Sequence, residues 1–219
     1  MHSSDPQPRI LKSDAFGSIA VVRDGERVFI RRDIGPAHWW LKGLACWAAA
    51  REARVMRVLQ GIDGVPALLA WDGKKLDRSY IAGQPMQLGQ PRDVDYYRHA
   101  HRLIRALRDR GVVHNDLAKE PNWLVRDDGT PAVVDFQIAW ATQRRGGLFR
   151  LLAREDLRHL LKHKRMYCPQ AITPVERRVL AKRSWIAASW NATGKRGYKF
   201  IARRLFGYWD NEGEGRVRR

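Results

Sequence analysis

His114-Asn115-Asp116-Leu117-Ala118-Lys119-Glu120-Pro121-Asn122, followed further on by Asp135-Phe136-Gln137, is the stretch on which the fold of this chain turns. Trp123-Leu124-Val125 and Ala132-Val133-Val134-Asp135-Phe136 lie on either side of Asp127-Asp128-Gly129-Thr130. That is the pattern of a β-hairpin with a tight polar turn. Pairing of its strands predicts that Asn122, entering the first, and Asp135, leaving the second, stand side by side. The loop carrying Asp116 sits just before them. Two carboxylates and an amide oxygen at one mouth, in a strongly basic chain, suit Mg²⁺, which prefers hard oxygen ligands and phosphate partners.

Upstream, Ile19 to Val22 and Arg27 to Arg31 flank Asp24-Gly25, a type I′ hairpin signal. Leu44 to Gln60 is rich in Ala, Leu, Met and Arg and stops at Gly61, which predicts a helix. Val65 to Trp71 and Leu76 to Ile81 read as two further strands around Asp72-Gly73. The expected order is therefore three strands, a helix and two strands. Beyond Ala82-Gly83-Gln84-Pro85 the pattern turns helical. Val94, Tyr97, His101, Ile104 and Leu107 follow a helical period up to Gly111. Downstream of the hairpin, Leu151 to Lys164 predicts a second helix. Thr173-Pro174-Val175-Glu176 is a capping box that opens a third. His159 and His163 lack the glutamate of a zinc-protease motif and read as surface residues.

The chain has 219 residues, 44% of them apolar and 10% aromatic, which excludes a disordered chain. Lys and Arg number 41 against 23 Asp and Glu, a formal charge of +18, so anionic partners of some kind are expected. The two cysteines, Cys46 and Cys168, are far apart and match neither a disulfide framework nor a zinc site. The polar residues from Met1 to Arg9 carry no apolar core of a signal peptide, and Trp39 to Ala50 is too short to span a bilayer. A cytoplasmic protein is expected, with peripheral contact at the inner face of the membrane as a further expectation.

His-x-Asp-Leu with a following Asn, then a hairpin and Asp-Phe-x, resembles the catalytic and metal loops of the protein-kinase-like superfamily. The upstream element order is what the smaller lobe of that superfamily would show, so the resemblance spans roughly residues 10 to 165. It is most similar to the compact, atypical branch of RIO-type kinases and bacterial lipopolysaccharide core sugar kinases. The resemblance implies an α+β, two-lobed fold: an antiparallel-sheet N-lobe over residues 1–82 and a mainly helical C-lobe over 83–219. It implies ATP and Mg²⁺ as cofactors and an alcohol hydroxyl as acceptor, on protein Ser/Thr or on a lipopolysaccharide core sugar. By position, Asp116 would be the catalytic base, with Lys119 beside it and His114 as packed support of the loop. Asn122 and Asp135 would hold the metal. Gly17 would belong to the phosphate-covering loop, Arg31 and Glu52 would form the cation–carboxylate pair, and Tyr80 to Ala82 would be the adenine-reading hinge. Arg32 and Lys42 could take the cation's place, and Asp156 would brace the loop from a helix.

Departures from the family pattern are specific. Arg31 stands where the family has lysine, and the two are not equivalent at a phosphate site. Asn122 lies six residues after Asp116 rather than five, and Gln137 replaces a glycine. The short interval from Asp135 to Asp156 leaves no room for a long activation segment. These leave open a second expectation, a kinase-like pseudoenzyme that acts as a nucleotide- or anion-binding scaffold. At the C-terminus, Tyr198, Ile201, Ala202, Leu205 and Trp209 fall on one helical face among Lys199, Arg203 and Arg204, which suits either a packed last helix or contact with an anionic membrane. Nucleic acid is not expected, since no nucleic-acid-binding motif is present.

Overall fold

A computed structural model of the chain describes residues 8–182; the basic aromatic segment from Tyr198 to Trp209, with Trp185 and Trp190, lies outside the described residues. The chain divides into two compact units, Met1–Arg177 and Arg178–Arg219, and every element of the site described below belongs to the first. Its N-terminal part is an antiparallel sheet of β1 (Arg9–Asp14), β2 (Gly17–Asp24), β3 (Arg27–Asp33), β4 (Leu68–Trp71) and β5 (Lys75–Ser79), in the order β1-β2-β3-β5-β4. One helix, α1 (Lys42–Val58), is inserted between β3 and β4. Asp24 pairs with Arg27, so the β2–β3 loop is Gly25-Glu26, one residue later than the sequence suggested. Of the two, only Gly25 has positive φ (58°), the type II′ pattern rather than the expected I′.

The remainder carries β6 (Gln84–Pro85), α2 (Met86–Gly89), α3 (Val94–Asp109), β7 (Val112–Val113), β8 (Trp123–Val125), β9 (Pro131–Val133), β10 (Trp140–Ala141), α4 (Gly147–Tyr167) and α5 (Pro174–Ala181). The Asp93 side chain caps α3 by accepting from Asp95 N at 2.9 Å. One stripe of that helix, Tyr96, Tyr97, Ala100, Leu103, Ile104 and Leu107, is buried. The helix stops at Gly111 (φ 74°), where a Cβ would meet the Thr142 carbonyl oxygen at 2.2 Å. The larger of two core clusters joins Met56 of α1 and Leu59 at its C-cap to α3, the hairpin residue Trp123, Phe136 and Leu160 of α4. Each large side chain buried there contributes about 1.5–3 kcal/mol.

One local feature follows the sequence closely. The Thr173–Glu176 capping box forms in both directions: Glu176 N donates to Thr173 Oγ1 at 3.2 Å and Thr173 N to Glu176 Oε2 at 2.8 Å. The same carboxylate receives Lys164 Nζ at 2.7 and 2.9 Å, which ties α5 to α4. His163 departs from expectation. It is 5% exposed, because α4 presents Leu160, Leu161, His163 and Lys164 inward.

Candidate active site

The loop that carries Asp116 is held by its backbone. Asp156, buried in α4, accepts His114 N at 2.7 Å and Asn115 N at 3.0 Å, one on each carboxylate oxygen. Asn115 takes a left-handed conformation (φ 66°), and its Nδ2 donates to Ile138 O at 3.1 Å. His114 is fully buried; its Nε2 lies 3.0 Å from Val134 O, so Nε2 carries the proton, and its ring sits 4.7 Å from that of Phe136. Leu117 O accepts from both Trp123 Nε1 (3.2 Å) and His163 Nε2 (2.9 Å). Asp116 is thereby fixed without its own side chain being consumed in the scaffold. His163 was missed in the sequence because helix burial depends on which neighbour packs against it.

Around Asp116 the polar residues converge. Its Oδ2 receives Asn122 Nδ2 at 2.9 Å and Lys119 Nζ at 3.1 Å, and Asn122 Nδ2 also reaches Asp116 O at 2.9 Å. The extra residue in the loop is absorbed by a 3₁₀ turn over Glu120–Asn122, with Pro121 inside it. The hairpin behaves as its sequence predicts: Trp123 pairs with Val133, and Val134 N donates to Asn122 O at 3.0 Å, which leaves Asp135 one residue past the pairing. Asp135 is left-handed (φ 68°), and its Oδ1 is buried with no hydrogen-bond partner. A strained backbone that aims an unpartnered carboxylate oxygen is a costly arrangement for a merely structural residue. Its hard-oxygen chemistry, with the Asn122 amide oxygen nearby in sequence and pairing, fits Mg²⁺. Among the described residues no group of three or more His, Cys, Asp or Glu is placed to hold a metal ion.

The expected Arg31–Glu52 pair does not form. Arg31 makes a two-point contact with Asp77, Nε to Oδ1 at 2.8 Å and Nη2 to Oδ2 at 2.7 Å, and its guanidinium also lies 5.2 Å from the Phe29 ring. The physical reason is strand alternation. Arg31 stands opposite Asp77 on β5, whereas Arg32 stands opposite Leu76 and Ile30 opposite Arg78, so Arg32 and Arg78 share the other face. That is the face on which Glu52 of α1 is buried, at 0% exposure. Arg78 Nη1 donates to Glu52 Oε1, and Arg32 Nε stands 3.8 Å from Glu52 Oε2. Arg78 was not anticipated. Its only signal is its register against Ile30, which a single sequence does not contain.

Gly17, Arg32 and Gln137 line one small cleft of about 70 Å³, together with Lys12, Asp14, Phe16 and Ile19. The sheet, α1's partner arginine and the residue after Asp135-Phe136 thus meet at one place. Gly17 is required there: φ is 122°, and a Cβ would lie 2.2 Å from Asp33 O. The cleft is far smaller than the roughly 300 Å³ or more of a typical ligand pocket. Tyr80 to Ala82 runs outside any strand, with Tyr80 47% exposed and Ala82 also exposed.

Burial shapes the titration of this region. Desolvation lowers His114 and His163, and pushes His159 down to about 4, so all three are neutral in the folded chain. Desolvation pushes Asp156 up to about 7 against the pull of its two backbone donors. The unfolded chain protonates its histidines below about pH 6.5, so their contribution to stability is complete above that value and is lost as pH falls. Asp156 acts with the opposite sign: its contribution is complete below the ordinary carboxylate range and is lost as pH rises towards 7. Three histidines oppose one carboxyl. The melting midpoint is expected to fall between pH 7 and pH 5 in thermal unfolding followed by circular dichroism, and His159→Gln should flatten that decline.

No family model matches the chain, and no curated protein matches it either. Among solved structures it is similar to the Rio2 kinase from Chaetomium thermophilum, with a TM-score of 0.56, 16% sequence identity, and coverage of 87% of this chain and 70% of that one. Identity at that level speaks for the fold alone. The α+β architecture, the sheet order with its inserted helix and this structural match agree: the chain has a protein-kinase-like fold, similar to that of a RIO-type kinase.

Proposed function

We propose that this protein is an ATP- and Mg²⁺-dependent phosphotransferase that moves the γ-phosphate of ATP to an alcohol hydroxyl, on protein Ser/Thr or on a lipopolysaccharide core sugar. The observation that carries the reading is the buried, unpartnered Asp135 Oδ1 on a left-handed backbone, beside the Asp116–Asn122–Lys119 cluster. Residues 1–82 form the nucleotide-phosphate side and residues 83–219 carry the catalytic and metal loops. Asp116 takes the acceptor's proton as the new O–P bond forms and the bond to ADP breaks. Lys119 neutralises charge beside it. Asn122 and Asp135 hold Mg²⁺, which supplies positive charge against the phosphate oxygens. Arg32, lining the cleft, takes the phosphate-facing role first expected of Arg31, and Tyr80 to Ala82 offers backbone groups to adenine. Such catalysis is positioning plus electrostatics, so a few fixed oxygens and cations suffice. The reaction takes place in the cytoplasm, where Cys46 and Cys168 stay reduced; both are free thiols.

A second reading is favoured by two observations, the commitment of Arg78 to Glu52 and the small cleft. It is a scaffold that holds nucleotide or another anion without turnover. One experiment separates them. Labelled γ-phosphate transfer from ATP into a lysate is followed with Mg²⁺ or chelator, after separating protein from lipopolysaccharide, for wild type and Asp135→Asn. The phosphotransferase reading expects label in one fraction, lost with chelator and in the variant. Nucleotide binding with no label in either fraction establishes the scaffold. Nucleotide affinity that is equal in both proteins and indifferent to Mg²⁺ overturns the metal assignment.

A further inference from the structure

The entry to α1 carries an apolar surface that the site does not use. Trp39 is 85% exposed, Trp40 48%, Leu44 51% and Trp47 57%. Trp39 and Trp40 lie in the turn before α1, and Leu44, Trp47 and Arg51 recur at helical spacing along it. The inner face of the same helix is made of Ala45, Ala49, Glu52, Ala53, Val55 and Met56 and is fully buried, so this outer stripe adds nothing to the core. Clustered exposed tryptophans on a chain of this size mark a surface that meets something apolar.

The charge around the patch selects the occupant. From Ile34 to Arg51 there is no acidic residue, while Lys42 and Arg54 are exposed beside the stripe. Tryptophan prefers the headgroup level of a bilayer, where its ring is apolar and its N–H remains wet, and each nearby Lys or Arg adds about 1 kcal/mol at an anionic leaflet. We propose that the turn and first half of α1 form a docking surface for an anionic membrane, with Trp39, Trp40, Leu44 and Trp47 entering the interface and Lys42 and Arg54 meeting lipid phosphates. The proposal does not depend on the phosphotransferase reading.

The surface is wired to the Asp135 loop. Arg51 stacks on Trp47, its guanidinium 5.4 Å from the ring, and donates to Ala139 O at 2.7 Å and Ile138 O at 3.1 Å. Ile138 O is the acceptor that Asn115 of the catalytic loop also uses. Docking that immobilises Trp47 therefore stiffens the segment after Asp135-Phe136.

The test is sedimentation of the full chain with extruded vesicles, either pure phosphatidylcholine or with about 30% phosphatidylglycerol, at low and high salt. High salt screens binding that rests on net charge alone. Wild type is expected to bind the anionic vesicles and keep a measurable fraction at high salt, with slowed amide exchange over residues 138–141. Trp39→Ser/Leu44→Ser is expected to lose about tenfold in partitioning at high salt. Arg105→Ser/Arg108→Ser, which removes charge elsewhere, should weaken binding at low salt only. If the double variant unfolds, Trp39→Ser alone carries the test. Equal partitioning of variant and wild type, or no binding by wild type, overturns the proposal. So does a wild-type dimer that the substitution splits, since the patch is then an interface between copies.

Discussion

Asp116→Asn is expected to cut phosphate transfer by roughly 10²–10⁴-fold while leaving the fold intact. The asparagine side chain retains a carbonyl oxygen that can keep accepting from Asn122 Nδ2 and Lys119 Nζ, the two donors that now converge on Asp116 Oδ2. The loop itself is suspended by backbone bonds to Asp156 and by the Leu117 carbonyl, none of which involves the Asp116 side chain. What disappears is the negative charge and the capacity to take a proton. The measurement is single-turnover transfer of labelled phosphate beside thermal unfolding of both proteins. A fall in rate with an unchanged melting midpoint supports the role. A rate equal to that of wild type removes Asp116 from the chemistry.

The largest effect on stability is expected at Arg78. Glu52 is completely buried, Arg78 supplies its hydrogen bond, and Arg32 stands 3.8 Å from its other oxygen. Arg78→Met leaves a buried carboxylate with one imperfect partner, a change that typically costs about 3–5 kcal/mol. In a chain of this size that is a drop of about 6–20 °C in melting midpoint. Arg78→Met/Glu52→Gln removes the stranded charge as well, and should recover much of the loss. Denaturant unfolding of the two variants and wild type checks this. Equal midpoints for Arg78→Met and wild type would mean that the pair contributes nothing.

The elements legible in the sequence are those set by short-range chemistry. The Asp127–Thr130 turn, the Thr173 cap and the glycine stop at Gly111 all involve neighbours a few residues apart, and all formed. The placing of Asn122 and Asp135 was equally local, since one hairpin decides it. The cation beside Glu52 was different. A strand shows alternate faces, so a shift of one residue, from Arg31 to Arg32, reverses the side of the sheet. The shift is settled by the pairing of β3 with β5, more than forty residues away, and by which arginine Asp77 captures. The role of Arg51 was hidden for a similar reason: its acceptors are carbonyls at Ile138 and Ala139, which carry no side-chain signature.

The way Asp156 and His163 hold the loop bears on how the protein is made. The backbone that presents Asp116 is organised by groups forty residues and more further along the chain, on a helix that ends at Tyr167. During synthesis, His114 to Asn122 leaves the ribosome while its anchors are still held inside it. The five-stranded sheet can pair beforehand, since all its strands are already present, but the Asp116 loop stays unshaped until α4 emerges and docks. A ribosome-stalled chain that exposes residues up to about 150 should hold its sheet and lack an ordered loop. The backbone around Asp116 therefore takes its shape in a single step, when α4 docks.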